Sequence, residues 1–169
     1  MLLLNTSHKS IPLTADRLHN FLATASPVIL CIGTDRIIGD SLGPMVGSML
    51  QKETTGALPV FGTLQHPVHA MNLRQIKEEI KKKHPDRLIL AVDASLGHYK
   101  EIGSVYIRSG GLYPGAGVSK NLPVTGDISI TGIAAQDSQQ PYLSLQTARL
   151  STIAGMAEQI CCCILHVCG

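Results

Sequence analysis

The run Val28-Ile29-Leu30-Cys31-Ile32 constrains this chain more than any other feature: it is apolar at every position and is cut off by Gly33. A strand with one wet face alternates apolar and polar side chains, so an unbroken apolar run needs helices over both faces. Beyond a glycine-containing loop, Pro44 and the helically spaced Met45, Val46, Met49 and Leu50 mark a helix over residues 45–51. Strand, loop and helix together make the first half of a crossover unit, which builds a parallel sheet.

The same grammar recurs. Residues 59–64 read as a second strand, and residues 70–83 as a helix whose Lys81, Lys82 and Lys83 complement its C-terminal dipole. Residues 87–93 read as another buried strand finishing in Asp93, while residues 102–108 and 127–133 alternate as half-exposed strands. A first helix is expected over residues 14–25, closed by Pro27, and a long, mostly apolar one over residues 143–167. Residues 112–124 form a long loop rich in Gly and Pro, of a length that often carries function. The expected fold is α/β, a three-layer α/β/α sandwich around a mostly parallel mixed sheet of about five strands. With 169 residues, 44% of them hydrophobic, the chain can bury one sizeable core and is short for two, so residues 1–169 are expected to form a single domain.

Composition closes off several classes of function. Fourteen Lys and Arg against 12 Asp and Glu leave a net charge of +2, too weak a field for bulk attraction to a phosphate backbone, so no direct nucleic-acid partner is expected. Met1 to Leu4 is too short for the apolar region of a signal peptide, and no run of about 18 apolar residues occurs, which points to a cytoplasmic chain without a membrane partner. Cys161, Cys162, Cys163 and Cys168 lack the paired spacing of a structural zinc site and read as small apolar residues of a helix in a reducing compartment. The oligomeric state stays open, a homo-oligomer included.

Asp40 follows the first buried strand and Asp93 ends another, and in a doubly wound sheet the loops at the carboxyl ends of the strands line one crevice. Two carboxylates at one sheet edge cannot both ionise cheaply, so one keeps a proton while the other activates a water. Alternatively the two share a divalent metal. Asp is also a common cap, which would suit Asp40 before a helix near Ser41 and Asp93 before a turn at Ala94-Ser95. Spacing alone leaves these readings open. The loop GTDRIIGDSLGP matches neither GxxxxGK(S/T) nor GxGxxG, and Asp40 at the helix start would repel an anion, which argues against a nucleotide site. His98, just beyond Asp93, is a candidate third metal ligand or catalytic partner, with His66 and His69 as weaker candidates. In the long loop, Gly115, Gly117, Ser119 and Asn121 are candidate substrate-binding positions that offer donors to a peptide carbonyl or an oxyanion, unless they serve only the turn geometry.

The segments ILCIGTDRIIGDSLGPMVG, LILAVDASLG and GGLYPGAGVSKNLPVTGDISITGI resemble the YyaC-type sporulation proteins, a small spore-protease-like family, and they cover most of residues 28–133. They are more distantly similar to the germination protease of spore-forming bacteria, with GDSLGP, VDAS and YPGAGVSKN in the places of its motifs, and to the hydrogenase-maturation endopeptidases, whose metal-binding acids match Asp40 and Asp93. The resemblance implies a phosphorylase/hydrolase-like fold and carries the catalytic role onto Asp40 and Asp93. It further implies a peptidase of the forespore or spore core, acting on a protein or peptide substrate such as the small acid-soluble spore proteins, with no cofactor. The alternative it offers is a nickel- or zinc-dependent maturation-type endopeptidase holding its ion through Asp40, Asp93 and His98. A catalytically silent sporulation binding protein of the same fold is the third reading.

Overall fold

In the computed structural model, which describes residues 2–4, 11–22, 26–114 and 124–168, strand β1 (Leu2–Leu4) and helix α1 (Ile11–Leu22) precede the buried strand β2 (Val28–Cys31). A 3-10 turn (Ile38–Ser41) then leads into α2 (Leu42–Thr54), β3 (Val60–Phe61), α3 (Leu73–Lys83) and β4 (Ile89–Gly97). A second 3-10 turn (Tyr99–Glu101) is followed by β5 (Val105–Ser109), β6 (Ile128–Gln136), α4 (Pro141–Gln146) and α5 (Leu150–Cys168). The strands form one six-stranded sheet in the order β1-β5-β6-β4-β2-β3. Strands β3, β2, β4 and β6 run parallel, β5 is antiparallel to β6, and β1 is antiparallel to β5.

The unbroken apolar runs are explained by what lies on each side of the sheet. In β2, Ile29 and Cys31 enter one core while Val28 and Leu30 enter another, and all four are fully buried. The first core packs α1, α2 and α5 against the sheet; the second joins α3, through Leu73 and Ile80, to Val68 and Leu112. This is the expected three-layer sandwich, with β1 as a sixth strand beyond the five read from the sequence. Helix α5 is long and apolar enough, by length and composition, to cross a membrane. Its buried positions Ile153, Met156, Ala157, Ile160, Cys161 and Ile164 recur at helical spacing and lie in the first core, so α1, α2 and the sheet together cover its apolar stripe.

Several elements differ from expectation for local reasons. The strand expected over residues 59–64 pairs only at Val60 and Phe61, because Gly62 turns the chain away at φ +91°. A Cβ there would stand 1.8 Å from the Cys31 carbonyl oxygen, so the turn and the close approach to β2 both need glycine. The single helix expected over residues 143–167 is two: α4 begins at Pro141, and its end is tied by the Thr147 hydroxyl donating to the Leu143 carbonyl at 2.8 Å, before α5 starts at Leu150. The first helix runs from Ile11 to Leu22, about one turn earlier than its apolar spacing suggests.

Candidate active site

β2 stays in register with β4 as far as Cys31 opposite Val92, and Gly33 then turns the chain at φ +140°. Any side chain at position 33 would place its Cβ 2.0 Å from the Asp40 carbonyl oxygen. Without one, the loop folds back on itself: the Thr34 N–H donates to the Asp40 carbonyl at 3.1 Å, and the Asp40 N–H donates to the Ile37 carbonyl at 3.0 Å. Asp40 is thereby held in the 3-10 turn, which packs against β4, at the carboxyl end of β2.

Asp93 is the next residue of β4 after Val92, so it opens the stretch that β2 no longer flanks. It does not end the strand as the sequence suggested; β4 continues beside β6 to Gly97, with a register shift between Ser95 and Leu96. Alternation along β4 turns Asp93 to the same face as Ala91 of the second core, and only 7% of its surface is exposed. Its register partner on β6 is Thr131, whose own partner on β5 is Tyr106.

Burial pushes the Asp40 carboxyl up to about 6, against the pull of the Thr34 backbone amide. Burial first, and the negative charge of Asp40 second, hold Asp93 well above the ordinary carboxylate range, against the Ala94 N–H that donates to its Oδ1 at 2.9 Å. The structure therefore brings the two carboxyls within electrostatic reach of each other, from two elements that meet where β2 ends. The capping alternative for Asp40 is not what the backbone uses, since neither the 3-10 turn nor α2 has a side-chain bond at its N-cap. The Ala94 amide bound by Asp93 lies within a strand rather than a turn.

His98 is not brought to this pair. Because β4 continues past Asp93, five residues of extended chain, roughly 15 Å, separate the two. The imidazole is exposed and accepts the Lys100 N–H at 3.3 Å, while Glu101 accepts the His98 N–H at 3.1 Å, a reciprocal cap of the second 3-10 turn. Among the described residues no group of three His, Cys, Asp or Glu is placed to hold an ion, so Asp40, Asp93 and His98 do not fit a nickel or zinc site. His69 lies nearer the Asp40 loop: it lines a cavity of about 270 Å3 between residues 34–36 and residues 64–69. That cavity sits past the carboxyl ends of β2 and β3, where parallel sheets bind ligands. Gly115, Gly117, Ser119 and Asn121 lie outside the described residues. The backbone flanking them is closed by a pair of 2.9 Å bonds between Leu112 and Thr125.

A family model described as "Protein of unknown function (DUF1256)" matches residues 5–163. The chain belongs to the DUF1256 family. It is 46% identical over 131 residues to the Bacillus subtilis protein YyaC, a match that spans 78% of this chain and 64% of YyaC, under two thirds of that protein's length. The YyaC-type resemblance read from the three segments thus holds. The fold is similar to that of a NiFe hydrogenase maturation protease, HycI from Thermococcus kodakarensis KOD1, with a TM-score of 0.63, 21% identity, and 90% of this chain and 98% of HycI covered. This likeness bears out the phosphorylase/hydrolase-like fold.

Two features of this family member's site escaped the sequence reading. The Asp35 and Arg36 lining of the cavity, beside the His69 already named as a candidate, depends on two loops from different strands meeting, which no local pattern records. Thr131 was readable as a polar position within GDISITGI, but its place beside Asp93 is a matter of strand register.

Proposed function

We propose that this chain is a sporulation-associated peptidase of the cytoplasm of the forespore or spore core, with Asp40 and Asp93 activating a water against a peptide bond. The observation that carries this reading is the pair of carboxyls where β2 ends, Asp93 buried and Asp40 half-buried, both raised and one acting on the other. Such an arrangement stabilises the singly protonated pair, the state that general acid/base hydrolysis needs. Asp93, the more deeply buried of the two and pushed up again by the Asp40 charge, holds the proton, and Asp40 is the base. The Asp40 carboxylate takes a proton from water as the water oxygen bonds to the carbonyl carbon, and Asp93 gives its proton to the carbonyl oxygen. The tetrahedral diol then returns one hydroxyl proton to Asp93, Asp40 protonates the amide nitrogen, and the C–N bond breaks to a carboxylic acid and an amine.

The fold shared with a maturation protease supports a protein substrate. The motif resemblance to the germination protease supports small acid-soluble spore proteins as that substrate, and the cavity beside residues 34–36 offers room for its side chains. The test is mass spectrometry of small acid-soluble spore proteins incubated with the wild type, Asp40→Asn and Asp93→Asn. Cleavage by the wild type that falls by about 10²-fold or more in each variant is expected. Undiminished cleavage by the variants refutes the mechanism, and stable binding of the spore proteins by a wild type that cleaves none of them favours a silent binding protein.

A further inference from the structure

We propose that Thr131 is a third catalytic residue, its hydroxyl donating to the same substrate carbonyl oxygen that Asp93 protonates; the inference rests on the hydrolytic reading of the aspartate pair. Thr131 is the register neighbour of Asp93 across the parallel β4–β6 ladder, so the two side chains leave the sheet on the same face. Among the described residues the Thr131 hydroxyl is buried and has no hydrogen-bond partner. Buried polar atoms without a partner are rare in folded proteins, and one that persists needs a reason. The neighbour on its other side does not supply one: the Tyr106 hydroxyl donates to Glu101 and accepts no bond from Thr131.

Geometry indicates what the hydroxyl is for. Neighbouring strands lie about 4.8 Å apart. An oxygen set between two donors on them sits about 2.7–3.1 Å from each, the spacing of an oxyanion site. The β-branched Thr side chain is stiff about χ1, so its hydroxyl is placed before substrate arrives. Asp93 has one oxygen bound by the Ala94 amide, which leaves Oδ2 to carry the proton and face the shared acceptor. In the free protein the Thr131 hydroxyl is closed to solvent and stands without a partner among the described residues. When substrate binds, its carbonyl oxygen enters between the two groups and receives both donors as negative charge develops on it.

The test compares Thr131→Val, which keeps the shape and removes the hydroxyl, with Thr131→Ser, which keeps the hydroxyl. With a cleaved spore protein as substrate, Thr131→Val should lose about 10²–10³-fold in kcat with KM within about twofold, and Thr131→Ser should recover most of it. A crystal structure of the substrate-free wild type should show the Thr131 hydroxyl without a protein partner, independently of any activity and of whether either variant folds. An undiminished kcat in Thr131→Val, or a Thr131 hydroxyl bonded to a protein group in the crystal, overturns the proposal. Failure of the hydrolytic reading itself shows separately, as undiminished cleavage by Asp40→Asn and Asp93→Asn.

Discussion

From Ile89 to Val92, β4 runs between β2 and β6, and Leu90, Ala91 and Val92 are fully buried. From Asp93 to Gly97 it has only β6 beside it, its ladder shifts register, and four of its five residues are half-buried. The difference is made by where β2 stops. Where both neighbours are present, every backbone group is paired and side chains compete only for packing, which selects Val, Ile, Leu and Ala. Where one neighbour leaves, a backbone amide needs another acceptor, and the Asp93 carboxylate serves the Ala94 N–H. One strand thus carries stability in its first half and the proposed acid, Asp93, at the start of its second, and substitutions in the two halves should differ in kind.

The largest effect on folding is expected in the first half. Leu90→Ala removes a fully buried side chain from the first core and should cost about 2–5 kcal/mol in urea unfolding. The midpoint at which Asp40 titrates should not move. A shifted midpoint would mean that the two regions are not separable.

A smaller effect of opposite sign is expected at the site. With its carboxyl raised to about 6, Asp40 binds its proton more tightly in the native chain than in the unfolded one. Stability is therefore lost as pH rises from the unfolded value near 4 through about 6, by roughly 1–3 kcal/mol from this group. Asp40→Asn removes that titration, so the variant should unfold at higher urea than the wild type at pH 7, with the gap closing toward pH 4. Equal stability differences at both pH values would show that burial of Asp40 carries no cost.

The smallest effect belongs beyond the register shift in β4. His98→Ala removes only the cap of the second 3-10 turn and should cost about 0.5–1 kcal/mol, with hydrolysis unchanged. A loss of hydrolysis would place His98 in the site and redraw its boundary.

How far the sequence could be read follows the same division. The unbroken apolar run of β2 announces helices on both faces, and Gly33 announces its end, because both are demands of the local chain. Asp40 and Asp93 were legible as candidates because each stands next to such a run. That Asp93 lies inside a strand was not, since residues 94–97 lack a run or alternation of their own and are held extended by β6. The misplacement of His98 follows from that one boundary. β1 is three residues long and gains its strand character only by pairing with β5. Thr131 reads in the sequence as one more alternating position, and only register sets it beside Asp93.

Carbon-13 NMR of the aspartate side-chain carboxyls across pH 3–9 tests the central claim most directly, with Asp40→Asn and Asp93→Asn assigning the signals. Asp40 should titrate near 6 and Asp93 well above the ordinary carboxylate range, and the Asp93 midpoint should fall when Asp40→Asn removes the neighbouring charge. Two independent midpoints near the ordinary value of about 4, each unmoved by loss of the other carboxyl, would contradict a coupled pair and with it the proposed chemistry.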